Sequence, residues 1–167
     1  VIVCSDSHTC THGGIGSLAW GIGSSELVHA MATQTVIQRK PRRMRIQFNG
    51  KISPWVSAKD MILHVIGREG AARGDGYAVE YAGGAVQRLN VEGRLTLCNL
   101  SIEMGAKVGM VAPDDTVYEY LSGREFAPSG SDWDNAVSHW RSLVSDEAAV
   151  YDEDIDVDVS KLAPHVT

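Results

Sequence analysis

Short apolar runs alternate with amphipathic stretches along most of this 167-residue sequence. The first run, Val1 to Val3, is β-branched and enters a polar loop that ends in glycines. Such alternation predicts a layered α/β fold with buried parallel strands. Ligands bind beyond the carboxyl ends of the strands in folds of this kind. We therefore expect Asp6, Ser7 and His8, which follow the first strand, at a ligand-binding edge.

Capping residues and hydrophobic periodicity place the other elements. Ser24-Ser25 can cap a helix that we expect to run to about Arg39, and Ser57 with Asp60 forms a capping box that opens another helix. Further predicted elements are a strand with Met44, Ile46 and Phe48, a strand Tyr77 to Tyr81, a helix Gly93 to Met104 ended by Gly105, a short helix from Pro113 to near Gly123, a helix opened by Ser131 or Asp132, and a strand with Ile155, Val157 and Val159.

Charge and cysteine content exclude several classes of protein. The net charge is −6, and Lys and Arg cluster only within residues 39–43, which argues against nucleic-acid binding. Cys4, Cys10 and Cys98 include no C-x-x-C pair, so we expect neither a disulfide framework nor a zinc ribbon, and a reducing cytoplasmic setting. No stretch reads as a membrane span or a secretory leader, so we expect no membrane partner.

The Asp6-Ser7-His8 run is compatible with several chemistries. We reject a hydrolase triad because contiguous side chains should diverge. A two-metal phosphoesterase with an Asp-x-His motif is an alternative, with Gly74-Asp75-Gly76 as its second motif, although its Asn-His pair is absent. Asp6, His8 and His12 could instead hold one metal ion. The competing interpretation is a structural loop in which Asp6 accepts backbone amides.

Two further patterns carry weaker signals. Asn99 and Glu103 are spaced i,i+4 and should share one helical face, although a solvated stripe would look the same. Gly14 lies too far from the first strand for a dinucleotide-binding turn. We expect the glycines after His8 to let backbones approach closely, or to admit a ligand.

Four motifs in order resemble the aconitase family: VCSDSHTCTHGGIG, GIGSSELVHAMATQT, VEGRLTLCNLSIEMGAK and GMVAPDDT. The likeness runs from Val1 to about Asp152, and residues 11–13 and 111–114 are most similar to its isopropylmalate branch. The resemblance implies a layered α/β/α fold of aconitase type. Residues 1–42 would be the end of its first domain, 43–127 its second domain, and 128–167 a linker helix and acidic strand leading to a third.

The resemblance also implies an activity. A hydro-lyase of this branch interconverts 2-isopropylmalate and 3-isopropylmalate by dehydration and rehydration at a 4Fe-4S cluster, in leucine biosynthesis. Asp6 and His8 would handle the proton of the hydroxyl, and Ser7 would contact the substrate or the cluster. Glu103 would hydrogen-bond the iron-bound water, and Asn99 a cluster sulfide. The substrate is a small 2-hydroxy dicarboxylate, with homoaconitate or a methylmalate as alternatives.

The family resemblance implies partners that this sequence lacks. In the family, one cysteine and a later C-x-x-C pair ligate the cluster, and this sequence has no such pair. A swivelling domain would come from a separate small subunit. We therefore expect the chain to be a middle fragment that is inert by itself. A non-catalytic domain that binds partner subunits is the alternative of another class.

Overall fold

Two parallel sheets hold the strands of this protein, whose computed structural model describes residues 1–166. The strands are β1 (Ile2–Cys4), β2 (Ala19–Gly21), β3 (Arg42–Asn49), β4 (Tyr77–Ala82), β5 (Val108–Val111) and β6 (Glu153–Asp158). β1 pairs with β2, whereas the other strands form a sheet of order β5-β4-β3-β6. Every pairing is parallel. The predicted layered α/β fold is therefore confirmed.

Helices connect the strands of the larger sheet. They are α1 (Ser24–Thr33), α2 (Ala58–Glu69), α3 (Gly84–Gln87), α4 (Val91–Asn99), α5 (Asp115–Leu121) and α6 (Ser131–Arg141). Shorter 3-10 segments span Ser7–Ile15, Ile102–Met104 and Val159–Lys161. None of the described helices is long and apolar enough to cross a lipid bilayer.

The main core lies between β3, β4 and the helices α2 and α4. Alternate residues of the strands point into it, as expected for period-2 strands with one buried face. Its fully buried members include Met44, Ile46 and Phe48 from the strands and Met61, Ile62, Val65 and Leu97 from the helices. In β6, Ile155 and Val157 are buried and Asp156 is exposed, which confirms the predicted strand with one dry face, although Val159 lies in the 3-10 segment that follows it.

The predicted capping box at the start of α2 is confirmed. The Ser57 hydroxyl accepts a hydrogen bond from the Asp60 amide at 3.3 Å, and Asp60 Oδ2 accepts one from the Ser57 amide at 2.6 Å. Asp60 Oδ1 also accepts a bond from the His165 amide at 2.7 Å. These hydrogen bonds, the one from His165 foremost, lower the pKa of Asp60 to about 2. One buried carboxylate therefore joins the end of the described chain to α2.

Two predicted helices have different bounds in the structure. α1 ends at Thr33 rather than Arg39, because Gln34 adopts the left-handed conformation and the β-branched residues after it disfavour a helix. The helix predicted from Gly93 to Met104 is wrong at both ends. It starts at Val91 behind the cap Asn90 and stops at Asn99, and a 3-10 segment follows.

The short strands β2 and β5 were not predicted. Gly105, which was predicted to end the helix from Gly93 to Met104, instead ends the 3-10 segment Ile102–Met104 with a left-handed φ of 83°. The division into residues 1–42, 43–127 and 128–167 stays a prediction, and Thr167 lies outside the described residues. Within the third segment, β6 pairs with β3 over Met44 to Asn49.

Candidate active site

The first half of the candidate site is the 3-10 segment Ser7–Ile15, called the His8 segment below, which follows β1. Asp6 caps it, because Asp6 Oδ1 accepts a hydrogen bond from the His8 amide at 2.7 Å. The Thr9 hydroxyl donates to the Asp6 carbonyl and the Thr11 hydroxyl to the His8 carbonyl, both at 2.6 Å. Local side-chain bonds therefore fix the backbone that carries the imidazole.

Two glycines let the His8 segment lie directly against the backbone of β5 and α4. A Cβ at Gly13 would lie 1.7 Å from the carbonyl oxygen of Gly109 in β5. A Cβ at Gly14 would lie 2.6 Å from the amide nitrogen of Leu95 in α4. Neither position leaves room for a side chain. The interpretation that these glycines allow close backbone approach is therefore confirmed.

Two motifs that are far apart in the sequence meet at His8. Its Nε2 lies 3.3 Å from Glu103 Oε1, across 95 residues of chain. Its Nδ1 lies 3.9 Å from Asp6 Oδ1. The side chains of His8, Glu103 and Asp6 are 41%, 55% and 70% exposed. The result is an imidazole between two carboxylates at an open surface that a small molecule can reach.

Ser7 also contacts the imidazole. Its Oγ lies 3.1 Å from His8 Nδ1, so the expectation that these neighbouring side chains diverge is wrong. The capped turn at Asp6 brings them together. Asp6 and Ser7 share one ring nitrogen, whereas a hydrolase triad has its carboxylate and hydroxyl on opposite nitrogens. That argument excludes Asp6 alone, because Glu103 lies on the nitrogen opposite Ser7. Glu103, His8 and Ser7 therefore follow one another as carboxylate, imidazole and hydroxyl, a chain along which a proton can move.

Asn99 fastens the His8 segment to α4 rather than facing Glu103 along one helix. Its Nδ2 donates to Thr11 Oγ1 at 2.9 Å. The shared helical face predicted for Asn99 and Glu103 is wrong, because α4 stops before Ser101. The Ser101 hydroxyl bonds Tyr81 at 2.7 Å and the Leu97 carbonyl at 3.3 Å, which turns the chain there.

The structure does not bring the predicted metal ligands together. Within residues 1–166, no group of three or more His, Cys, Asp or Glu side chains could hold a metal ion. His12 Nδ1 instead lies 2.9 Å from the Thr9 carbonyl. The alternative of one metal held by Asp6, His8 and His12 is therefore wrong. Asp75 likewise forms no ligand group with Asp6 and His8 of the kind a two-metal phosphoesterase needs.

The cysteines of this chain do not fit as the ligands of an iron–sulfur cluster. Cys4 is exposed, whereas Cys10 and Cys98 are buried. Burial raises the pKa of the Cys10 thiol and raises that of Cys98 well above its usual value. Iron–sulfur clusters are held by thiolates, which such burial disfavours. Cys10 instead contacts the Asn99 carbonyl at 3.7 Å.

An ion pair between a buried arginine and a half-buried aspartate, which the sequence did not reveal, supports α4. Arg94 is fully buried and its guanidinium bonds both carboxylate oxygens of Asp114, at 2.6 Å and 2.8 Å. It also donates to the carbonyls of Gln87 and Leu89. Burial opposes ionisation of Asp114, but the bonds and charge of Arg94 outweigh it and lower the pKa of that carboxyl. Only the N-cap pattern at Asp114 is visible in the sequence.

The chain belongs to the aconitase family (aconitate hydratase), which matches it over residues 1–167. It is 56% identical over 167 residues to the 3-isopropylmalate dehydratase large subunit 1 of Bradyrhizobium diazoefficiens. It is 52% identical over 166 residues to the 3-isopropylmalate dehydratase large subunit of Roseiflexus castenholzii. These matches cover 100% and 99% of this chain, and 35% of each relative. The predicted aconitase-family membership is confirmed, and the chain spans about a third of the length of these relatives.

Proposed function

We propose that the longer protein to which this chain corresponds is a hydro-lyase that interconverts 2-isopropylmalate and 3-isopropylmalate, in leucine biosynthesis. The names of the two relatives support this reaction. The observation that carries it is the 3.3 Å approach of His8 Nε2 to Glu103. Loss of a hydroxyl group requires a proton donor at the departing oxygen, and a positioned imidazole supplies one.

The contacts of His8 suggest a division of labour. Glu103 orients the ring through Nε2, while Asp6 fixes the backbone amide of His8. In our proposal His8 and Asp6 give a proton to the substrate hydroxyl as it departs and take it back when the hydroxyl returns. Ser7 contacts the substrate and offers a proton path through His8 Nδ1. Glu103 hydrogen-bonds the oxygen that leaves and returns. All of these side chains are exposed enough to touch a substrate.

The family also implies a 4Fe-4S cluster, which would act as a Lewis acid at the hydroxyl group. We place its cysteine ligands in the part of the longer protein that this chain does not span, since the cysteines described above do not fit. Asn99 has a second amide hydrogen besides the one on Thr11, which we propose for a cluster sulfide. A small subunit and the 2-hydroxy dicarboxylate are the proposed partners, and the cytoplasm is the proposed location.

Substitutions in the whole large subunit, assayed with its small subunit, test the proposal. We expect His8→Asn and Glu103→Gln each to lower kcat roughly 10²- to 10⁴-fold, the range of general acid–base catalysis. Their unfolding curves should match the wild type because both side chains are exposed. The control His139→Asn changes an exposed histidine on α6 and should leave kcat unchanged. Wild-type kcat in both site variants would contradict the proposal.

Competing substrates test the specificity. We expect the highest kcat/KM for isopropylmalate among isopropylmalate, homoaconitate and a methylmalate. A higher value for either rival would move the protein to another dehydratase of the family. The 167-residue chain alone should not turn over any of them.

A binding role for the chain alone is the second candidate, and α1 favours it. None of the residues Ser24–Thr33 is buried, and Val28 and Met31 are 68% and 71% exposed. Capture of the small subunit by the 167-residue chain would support this role. A chain that stays monomeric in that mixture would contradict it.

A further inference from the structure

A concave surface lies beside the candidate site and shares Asn99 with it. It is a pocket of about 300 Å³ at the junction of the His8 segment, the first turn of α2 and the last turn of α4. Its lining residues are Thr11, Lys59, Leu95, Thr96, Asn99 and Leu100. Lys59 is the charged member of this set. The pocket therefore combines one cation with an apolar wall.

The charge of Lys59 has no counter-ion in the part of the chain that the structure describes. Lys59 is exposed and makes no ion pair with any of residues 1–166. The adjacent carboxylate, Asp60, is occupied by Ser57 and by the His165 amide. Lys59 also lies in the first turn of α2, where the positive end of the helix dipole disfavours a cation. The stability of α2 therefore does not explain a lysine at this position.

The hydroxyl groups of the pocket are committed elsewhere. Thr96 Oγ1 donates to the Glu92 carbonyl at 2.9 Å, and Thr11 Oγ1 donates to the His8 carbonyl at 2.6 Å. Lys59 is then the donor available to a ligand, because one amide hydrogen of Asn99 is on Thr11 and the other is the one proposed above for a cluster sulfide. Leu95 and Leu100 present hydrocarbon beside it. These groups suit an anion that carries an aliphatic branch.

Hydrogen bonds connect this pocket to the imidazole. Asn99 and Thr11 both line the pocket, and they are joined at 2.9 Å. Thr11 in turn holds the carbonyl of His8. A ligand in the pocket therefore lies against the same side chains that fix the position of the imidazole.

We propose that this pocket binds one carboxylate of the substrate, with Lys59 as its counter-charge and Leu95 and Leu100 against the neighbouring alkyl group. This inference rests on the proposed function, which makes the substrate a branched dicarboxylate. The competing explanation is structural. Lys59 would then only offset the negative C-terminal end of α4, which also lines the pocket.

Binding measurements on the whole large subunit with its small subunit test the subsite. Calorimetry with 2-isopropylmalate should give a Kd raised roughly 10- to 100-fold in Lys59→Met, the usual range for loss of a charge-assisted hydrogen bond. Lys59→Arg keeps the charge and should stay within about fivefold of the wild type. Lys51→Met removes another exposed lysine outside the pocket and should change nothing. Lys59→Gln repeats the test with a polar side chain.

Two half-amides of the same acid locate the interaction. One half-amide should bind the wild type as weakly as 2-isopropylmalate binds the Lys59→Met variant. The Kd of that half-amide should be the same for the wild type and for Lys59→Met. Equal Kd values for wild type and Lys59→Met would overturn the subsite. A lowered melting temperature with unchanged Kd would do so in favour of the structural explanation.

The same experiments separate failure of the subsite from failure of the proposed function. Binding that depends on Lys59 without turnover of isopropylmalate would remove the function and keep the subsite. Turnover with a Kd independent of Lys59 would keep the function and remove the subsite.

Discussion

The central region comprises the sheet of β3 to β6 with its helices, and the N-terminal region comprises β1, the His8 segment, β2 and α1. The two regions are stabilised very differently. Met44, Ile46 and Leu97 of the central region are fully buried, and its helix α2 begins with a complete capping box. In the N-terminal region β1 pairs with β2 alone, and no residue of α1 is buried. Parallel strands are usually covered on both faces, and an isolated pair is marginal. The N-terminal region therefore depends on its contact with the central one.

The candidate site lies where the two regions meet. Asp6, Ser7 and His8 come from the weakly supported region, whereas Asn99 and Glu103 come from the well-packed one. Gly13 and Gly14 lie at the contact between them. The distance between the His8 imidazole and the Glu103 carboxylate is consequently set by that contact. The stability of each region can be tested separately.

The largest expected effect is on the central region, through Arg94→Met. It leaves the Asp114 carboxylate without its partner and two carbonyls without a donor, which should lower the free energy of unfolding by about 3–4 kcal/mol. Urea denaturation measures this change. Arg39→Met, at an exposed position, should stay within about 0.5 kcal/mol. A small cost for Arg94→Met would mean that the ion pair does not hold α4.

Gly14→Ala tests the contact between the regions. The added methyl would collide with the backbone of α4, so we expect a loss of about 2–3 kcal/mol in the free energy of unfolding. The matched control is Gly67→Ala in α2, whose Cβ meets no atom within 4 Å. It should be neutral or stabilise by up to about 1 kcal/mol. Equal behaviour of the two variants would show that the regions are not in tight contact.

The pH dependence of stability tests the contact between Asp60 in α2 and the His165 amide near the end of the described chain. The folded-state pKa of Asp60 is lowered from 3.8 to about 2, so its contribution is fully present above pH 3.8 and is lost as the pH falls towards 2. The change should be roughly 2 kcal/mol. Denaturation curves from about pH 5 to about pH 2 measure it, and Asp60→Asn should flatten this part of the profile. An unchanged profile in that variant would exclude Asp60 as the cause.

The smallest effect is expected on α1. Met31→Glu replaces a side chain that is 71% exposed, and should change the free energy of unfolding of the 167-residue chain by less than about 0.5 kcal/mol. The same change in the longer protein to which this chain corresponds reports whether α1 is covered there. A cost above about 1 kcal/mol in the 167-residue chain would contradict the exposure of this face.

Local signals predicted the central region and failed where distant contacts decide the structure. The alternation around Ile46 and the cap at Ser57 need only nearby residues, and both predictions hold. The end of α4 could not be predicted, because it depends on a bond between Ser101 and Tyr81. β2 is three residues long and takes its extended form from pairing with β1.

The candidate site was only partly predictable. The spacing of Asn99 and Glu103 suggested one helical face, which the structure contradicts. Their relation to Asp6 and His8 came from family resemblance, since no local rule joins residues 95 positions apart. The bond between Thr11 and Asn99 spans 88 positions and left no trace in the sequence pattern.

The seat of the His8 segment on α4 and β5 has a consequence during synthesis on the ribosome. At about 5–20 residues per second, the partner carboxylate emerges roughly 5–20 s after the imidazole. Until then the His8 segment cannot pack against α4 and β5. The Cys10 thiol, which is fully buried in the folded protein, is exposed to oxidants during that time. Newly made chains should therefore be more easily alkylated at Cys10 than mature ones.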